Sequence, residues 1–307
     1  MDRKFFGLAG AALMMLLQCA CAAQTAERTK VRDAYPFIAS GALASAELAT
    51  LPPGVILRSG ELKITQKDLD AEIQRSPKEL WPELKRNLFF VLENKAARIL
   101  MAAEAENWAR AEGRDSEGSE DALISAYLNN LAGDVSVTDE EIRKFYEDNK
   151  DMMGGAGFDQ VKAELKNYVV GQKRSEVTQV RISTLSERFV VEVDAAWTAK
   201  QNDAASDNDV DRARASGRPS LVDFGAGGCR PCEMMEPILA ALKKDYADKA
   251  HVIFIDVRKH RILAARYGVQ SIPVQVFFDE EGREVFRHVG FFSREQIEAK
   301  LAEMGVK

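Results

Sequence analysis

Cysteine and histidine are both scarce in this chain of 307 residues, which holds four of the first and three of the second. Cys19 and Cys21 fall in the leading segment, and the two cysteines that remain are too few for the disulfide framework of a small secreted domain. None of His251, His260 and His288 stands at a familiar zinc-ligand spacing from that second pair. Positive charge is also short: 42 Lys and Arg against 48 Asp and Glu give a net charge of −6, so there is no basic footprint and no nucleic-acid partner is expected. Beyond the leading segment no apolar run approaches the about 20 residues that span a bilayer, and no tandem repeat occurs. What is present is 46 % hydrophobic residues, enough for two cores, so two domains are expected.

The start of the chain is distinctive. Asp2-Arg3-Lys4 precedes an apolar stretch from Phe5 to Leu17, too short to cross a membrane comfortably and with the proportions of a secretory signal. Ala20-Cys21-Ala22 has the small-x-small form of an ordinary cleavage site, whereas Leu16-Leu17-Gln18-Cys19 resembles a bacterial lipoprotein box in which Cys19 would carry lipid, with Gln18 atypically bulky. Soluble release, lipid anchoring and an uncleaved anchor all stay open. Residues 1–22 are read as the signal, the bacterial envelope or periplasm as the expected location, and any membrane attachment as made through the N-terminus. With the signal removed, the other two cysteines are the only thiols left.

Those are Cys229 and Cys232, in Val222-Asp223-Phe224-Gly225-Ala226-Gly227-Gly228-Cys229-Arg230-Pro231-Cys232. The apolar run from Ser220 to Phe224 predicts a buried strand, the glycines a turn, and Glu233 to Tyr246 a helix that the cysteines open. A thiol in the first helical turn sits among unpaired N–H groups at the positive end of the dipole, which favours the thiolate, the attacking species in disulfide exchange. The pattern therefore points to a redox-active pair, with a structural disulfide or half a zinc site as the alternatives. No other cofactor is called for. Asp223 is a carboxylate inside an apolar strand, where burial raises its pKa and suits it to take a proton from a thiol.

Downstream come a second apolar strand, His251 to Val257, a short helix, Ile262 to Tyr267, then Ser271-Ile272-Pro273-Val274-Gln275-Val276-Phe277-Phe278, a turn at Asp279 to Gly282, a strand through Val285 and Phe286, and a helix from Ser293 to Met304. Over residues 206–307 this order, with the cysteine pair and Pro273, resembles the thioredoxin superfamily. The resemblance implies that Cys229 is the nucleophile, that Cys232 resolves the mixed disulfide, and that the two form the Cys229–Cys232 disulfide. It also implies that Pro273 is cis, that Asp223 is the buried proton acceptor, and that Pro237 is the helix-kinking proline. The Ile272 backbone, with Arg230 and Pro231, would face the substrate. Three departures stand out. Gly225 and Gly228 replace the two tryptophans usual before the motif, which opens the surface around Cys229. Val252 stands where many thioredoxins carry a lysine. Arg230-Pro231 replaces Gly-Pro, and Arg230 is either a cation favouring thiolate, tilting the pair away from a deeply reducing potential, or a solvated surface side chain.

The middle of the chain is helical in pattern. Residues 23–53 read as a lead-in or tether, Val55 to Ile64 as a hairpin turning at Ser59-Gly60, and Thr65 as the cap of a helix carrying Leu69 and Ile73. A long helix is expected from Glu79 to Glu112 with Leu84, Leu88, Val91, Leu92, Ala96, Ile99, Leu100 and Ala103 on one face. Others follow at about 120–132, after the capping box Thr138-Asp139-Glu140-Glu141, and at 158–183. Trp81 and Trp108 are read as core residues. Lys63-Ile64-Thr65-Gln66-Lys67-Asp68-Leu69-Asp70, Val137 to Tyr146, Phe158 to Lys162 and Gly171-Gln172-Lys173-Arg174 together resemble the helical chaperone region of the SurA and PrsA-like isomerases over residues 54–196. The catalytic parvulin domain of those proteins has only Gly154-Gly155-Ala156-Gly157 in its slot, so no prolyl isomerase activity is expected. A helical cradle for polypeptide remains, or else a spacer or dimerisation domain. Polar, acidic residues 197–208 read as a linker to a thioredoxin-like domain at 209–307.

The expected fold class is thus multidomain, a mostly α helical chaperone-like domain followed by an α/β thioredoxin fold. The expected function is an exported thiol–disulfide oxidoreductase whose partners are protein thiol or disulfide substrates and an envelope electron donor or acceptor. Its rivals are a non-enzymatic binding protein and a dedicated thiol carrier in cytochrome or metallocentre maturation.

Overall fold

The computed structural model describes residues 28–39, 41–114, 119–133 and 135–306. The signal segment and Cys19 lie outside the described residues. A short helix α1 (Val31–Ala34) leads to strands β1 (Glu47–Ala49), β2 (Val55–Ser59) and β3 (Leu62–Thr65). Gly60, at φ 56°, supplies the left-handed turn between β2 and β3 that a side chain would resist. Thr65 caps α2 (Gln66–Arg75) in a reciprocal box with Asp68, and α2 buries Leu69 and Ile73. Next come α3 (Trp81–Arg86), α4 (Leu88–Ala111), α5 (Glu120–Leu131), α6 (Asp139–Asp148) and α7 (Phe158–Arg188). Strand β4 (Glu192–Asp194) then returns between β1 and β2, completing a four-stranded sheet of order β1-β4-β2-β3.

The long helix expected over Glu79–Glu112 is interrupted. Asn87 leaves helical geometry at φ −118°, ψ 42°. Its side-chain amide donates to the Glu83 carbonyl at 2.8 Å and its Oδ1 accepts from Arg266 at 3.1 Å, so a buried polar cap ends α3 and lets α4 set out afresh. Ala103, expected on the apolar face, is exposed, while Met101, Ala102, Ala105 and Ala109 are buried. Trp81 packs against the first core, and Trp108 against a satellite cluster of Met101, Ala105, Tyr127 and Leu185.

Two readings of the connecting segments are corrected. The part of the lead-in described here is folded, with Val31, Ile38, Leu43 and Leu51 buried and Gly41 and Leu43 donating their amides to Glu93. Its apolar residues follow no period because tertiary contacts, rather than one helix or strand, bury them. The 197–208 linker is mostly helix α8 (Ala195–Ala205), capped by Asp194 and burying Thr198, Gln201 and Ala205. Its polar composition hid a chain of helix-forming alanines.

Helix α9 (Asp209–Arg214) opens the C-terminal unit. It is followed by β5 (Ser220–Gly225), α10 (Arg230–Asp245), β6 (His251–Asp256), α11 (Arg261–Arg266), β7 (Val274–Phe278), β8 (Glu284–Val289) and α12 (Arg294–Glu303). The sheet runs β6-β5-β7-β8, with β5 parallel to β6 and antiparallel to β7. Strand alternation sends Leu221 and Phe277 to one face, against Met235, Leu239 and Leu242 of α10 and Ile297 and Leu301 of α12. Val222, Phe224, Val274, Val276 and Phe278 face the other way, against Leu263, Ala264 and Tyr267. A central strand buried on both faces reads as a continuous apolar run, as β5 and β7 do.

The two units meet through α11. Ile262 enters the core of the helical unit, and the Leu263 amide donates to Glu83 at 3.0 Å. The buried guanidinium of Arg266 donates to Asn87 Oδ1, the Ala205 carbonyl (3.0 Å), the Phe37 carbonyl (3.2 Å) and Asp211 (3.0 Å). Asp211 also accepts from the Tyr267 hydroxyl. Such a planar, multiply bonded arginine is suited to a buried junction in a way a lysine is not.

Candidate active site

The site forms where β5 hands over to α10. Gly228, at φ 74°, turns the chain, and Cys229 becomes the N-cap of α10 with its Sγ accepting from the Cys232 amide at 3.4 Å. Cys229 and Cys232 are joined as a disulfide with Cα atoms 5.2 Å apart. The two sulfurs differ in access: Cys229 is half-buried, whereas Cys232 is 2 % exposed. That asymmetry suits an outer sulfur that meets other thiols and an inner one that only exchanges with it. Arg230 is exposed and Pro231 half-buried at the first turn of α10, and Arg230 forms no ion pair or hydrogen bond among the described residues. Glu233 in the same turn accepts from the Gly228 amide at 3.2 Å. Pro237 lies within α10.

Ile272–Pro273 is a cis peptide at the entrance to β7, with Pro273 buried and Ile272 half-buried. The Gly290 amide holds the Pro273 carbonyl at 2.8 Å. On the preceding residue, the Ser271 hydroxyl pairs with the Tyr168 hydroxyl of α7 at 2.8 Å, and Gln270 donates to Ser175, also of α7, at 2.6 Å. The helical unit thus touches the proline loop directly.

Asp223 is fully buried in β5. Burial pushes its carboxyl up to about 6, against a hydrogen bond from Gln275 that pulls it down. The Gln275 Nε2 donates to Asp223 Oδ1 at 2.7 Å from the register-matched position on β7. Asp223 Oδ2 has no hydrogen-bond partner among the described residues. A Cβ placed on Gly225 would meet Phe254 Cε2 at 2.9 Å, Cys232 Cβ at 3.3 Å and Asp223 Oδ2 at 3.4 Å, so the free oxygen and the inner cysteine flank one point. The nearest of these is the outer end of the partly exposed Phe254 ring of β6, which would shift to admit a side chain at that position. Phe254 and Met234, both partly exposed, leave an apolar surface beside the pair.

Sequence reasoning passed over Gln275, Phe254 and Tyr168. Gln275 carried a usable signal, a polar side chain inside the apolar run from Val274 to Phe278, the same signal that marks Asp223. Phe254 and Tyr168 carried none, since an aromatic in a strand or helix reads as core.

A four-stranded sheet covered by helices on both faces, with a helix-capping cysteine pair, a cis proline and a buried carboxylate, defines a dithiol–disulfide exchange domain. Comparison with known proteins agrees: the family model for a thioredoxin-like domain matches residues 206–305. Thioredoxin from Alicyclobacillus acidocaldarius subsp. acidocaldarius is 38% identical over 87 residues, 28% of this chain and 82% of that protein. Thioredoxin from Staphylococcus aureus is 42% identical over 77 residues, covering 25% and 73%. Among solved structures, thioredoxin NaTrxh from Nicotiana alata matches at 32% identity with a TM-score of 0.28, covering 31% of this chain and 80% of that one. Through its C-terminal third the chain belongs to the thioredoxin family, and that domain implies thiol–disulfide redox function.

Proposed function

We propose that the protein is an exported thiol–disulfide oxidoreductase acting on cysteines of polypeptide substrates, with its helical unit, of the SurA and PrsA-like kind, holding the polypeptide beside the redox pair. The observation that carries this is the disulfide at the head of α10, its outer sulfur accessible and its inner one buried. Cys229 thiolate attacks a substrate disulfide and releases one substrate thiolate. Cys232, losing its proton to Asp223, then attacks Cys229, and the second substrate thiolate leaves. The reverse sequence oxidises a substrate dithiol.

The client-holding role draws support from two features. Tyr168 and Ser175 of α7 bond the proline loop, so a chain lying along α7 reaches the loop. A cleft of about 550 Å³ between α2 and α4 has an apolar floor at Ile73, Leu84, Val91 and Ile99 and a charged rim at Glu72, Lys95 and Arg98. Only residues 149–157 join α6 to α7, so no prolyl isomerase activity is expected.

Reduction of insulin disulfides by dithiothreitol, with Cys229→Ser beside the wild type, tests the activity. An inert wild type that still suppresses aggregation of an unfolded protein would make this a binding module instead. Trapping with Cys232→Ala distinguishes a general exchanger, which yields many adducts, from a dedicated carrier, which yields one. Export through residues 1–22 is tested by mass spectrometry of the mature N-terminus, which also reads lipid on Cys19.

A further inference from the structure

We propose that Gln275 is a positioning residue for the exchange reaction, its side-chain amide fixing Asp223 so that the free carboxylate oxygen serves the Cys232 thiol. The inference rests on the disulfide-exchange reading above.

Gln275 sits on a central strand, fully buried, where every neighbour along β7 is apolar. It is the register partner of Asp223, and side chains directly opposite on adjacent strands share a face. That face is the one α10 covers, as Leu221 and Phe277 on it show. A carboxylate only accepts hydrogen bonds, so the amide atom facing Oδ1 is the nitrogen, and Gln275 Oε1 points elsewhere. Asp223 Oδ2 and Gln275 Oε1 are both buried without a hydrogen-bond partner among the described residues. A core leaves such groups unmatched at a real cost in stability, and an apolar residue at 275 would remove one of them outright. The arrangement makes sense if one oxygen of the carboxylate is tied and the other kept basic.

The direction matters. Oδ2 lies toward the point that Cys232 Cβ also flanks, at Gly225. In the mixed disulfide, the Cys232 S–H bond breaks and its proton passes to Asp223 Oδ2. The thiolate then attacks the Cys229 sulfur, the Cys229–Cys232 bond forms, the bond from Cys229 to the substrate sulfur breaks, and the electron pair leaves with the substrate thiolate. The proton on Asp223 is later returned to solvent or to that thiolate. The protein dithiol is oxidised and the substrate disulfide reduced. Gln275 takes no proton. It sets the carboxylate rotamer and lowers the proton affinity that burial raises. Burial and this amide are the influences acting on Asp223, and no charged side chain on β6, β7 or α10 contributes.

Gln275→Met keeps the length and the burial and deletes the donor. The carboxylate-dependent limb of the pH–rate profile for insulin disulfide reduction is expected to move about one pH unit upward, a rate about fivefold slower near pH 6 and approaching tenfold slower below pH 5, as befits a lost hydrogen bond to a charged group. In an Asp223→Asn background the same substitution should change nothing. A limb that stays in place, or a uniform slowing that persists in the Asp223→Asn background, would overturn the inference and leave Gln275 a packing residue. Carboxyl NMR titration of Asp223 in the full chain reads the same displacement without turnover: an unmoved midpoint overturns the inference even if the wild type proves unable to exchange disulfides, which would defeat the functional reading separately. If Gln275→Met does not fold, Gln275→Asn, which withdraws the amide, takes its place in both measurements.

Discussion

Removing the charge from Asp223 should stabilise this protein in alkaline solution and leave it unchanged in acid. The carboxyl is held at about 6 in the folded chain against 3.8 for the free group, with desolvation as the leading cause. The folded state therefore binds the proton more tightly than the unfolded state, so protonation favours folding. The stability this contributes is fully present below about pH 4 and is lost as the pH rises through about 6. At about 1.4 kcal/mol per pH unit, the rise from 3.8 to about 6 corresponds to about 3 kcal/mol of destabilisation at pH 8. Asp223→Asn keeps an acceptor for Gln275 and discards the charge, so it should be more stable than the wild type by up to about 3 kcal/mol at pH 8. Near pH 4 the two should converge. Urea unfolding of the oxidised proteins at pH 4, 6 and 8 makes the comparison. Trp81, Trp108 and Trp197 all lie in the helical unit, so circular dichroism rather than tryptophan emission should follow the transition. An advantage for Asp223→Asn that is the same at pH 4 and pH 8 would show that its charge is not what the core resists, and the proton-acceptor argument would lose its basis.

Glu93 should add a second loss of stability over a higher range. Burial pushes its carboxyl from 4.5 up to about 7 despite amides from Gly41 and Leu43, so its contribution is lost as pH rises through 7, and Glu93→Gln should flatten the fall in urea midpoint between pH 5 and pH 8. Arg266→Ala should destabilise the chain by about 1–3 kcal/mol, because it takes the side-chain donor from the Phe37 carbonyl and Asn87 Oδ1 and leaves the buried Asp211 to Tyr267, Asn208 and Arg214. Limited proteolysis should then cut within residues 195–215, and an unchanged pattern and urea midpoint would refute the clamp. In the reduced protein, iodoacetamide at pH 6 should modify Cys229 far faster than the 2 %-exposed Cys232, as peptide mass spectrometry would show, and equal rates would remove the inner and outer assignment.

Much of the redox unit was legible because its signals are local. Asp223 in an apolar strand, glycines before Cys229 and proline inside the first turn each act through near neighbours, and strand, turn and helix follow within about three residues. The helical unit was legible where caps speak for themselves, as at Thr65 and Thr138. It was misread where a distant partner decides. Asn87 looks like one more helical residue until Arg266, far along the chain, meets its Oδ1. The segment from residue 28 has no period because its buried residues answer to Glu93 and to α4.

Local chemistry therefore pointed to the Cys229–Cys232 pair and to a carboxylate buried in a strand, since each depends on groups a few bonds away, while the resemblance to thioredoxins pointed to the cis proline. Only the folded chain decided that Gln275 faces Asp223, that Phe254 covers Gly225 and that α7 reaches the proline loop. These are pairings across a sheet or between units, set by strand register and by the fit of surfaces that come together after each element has formed.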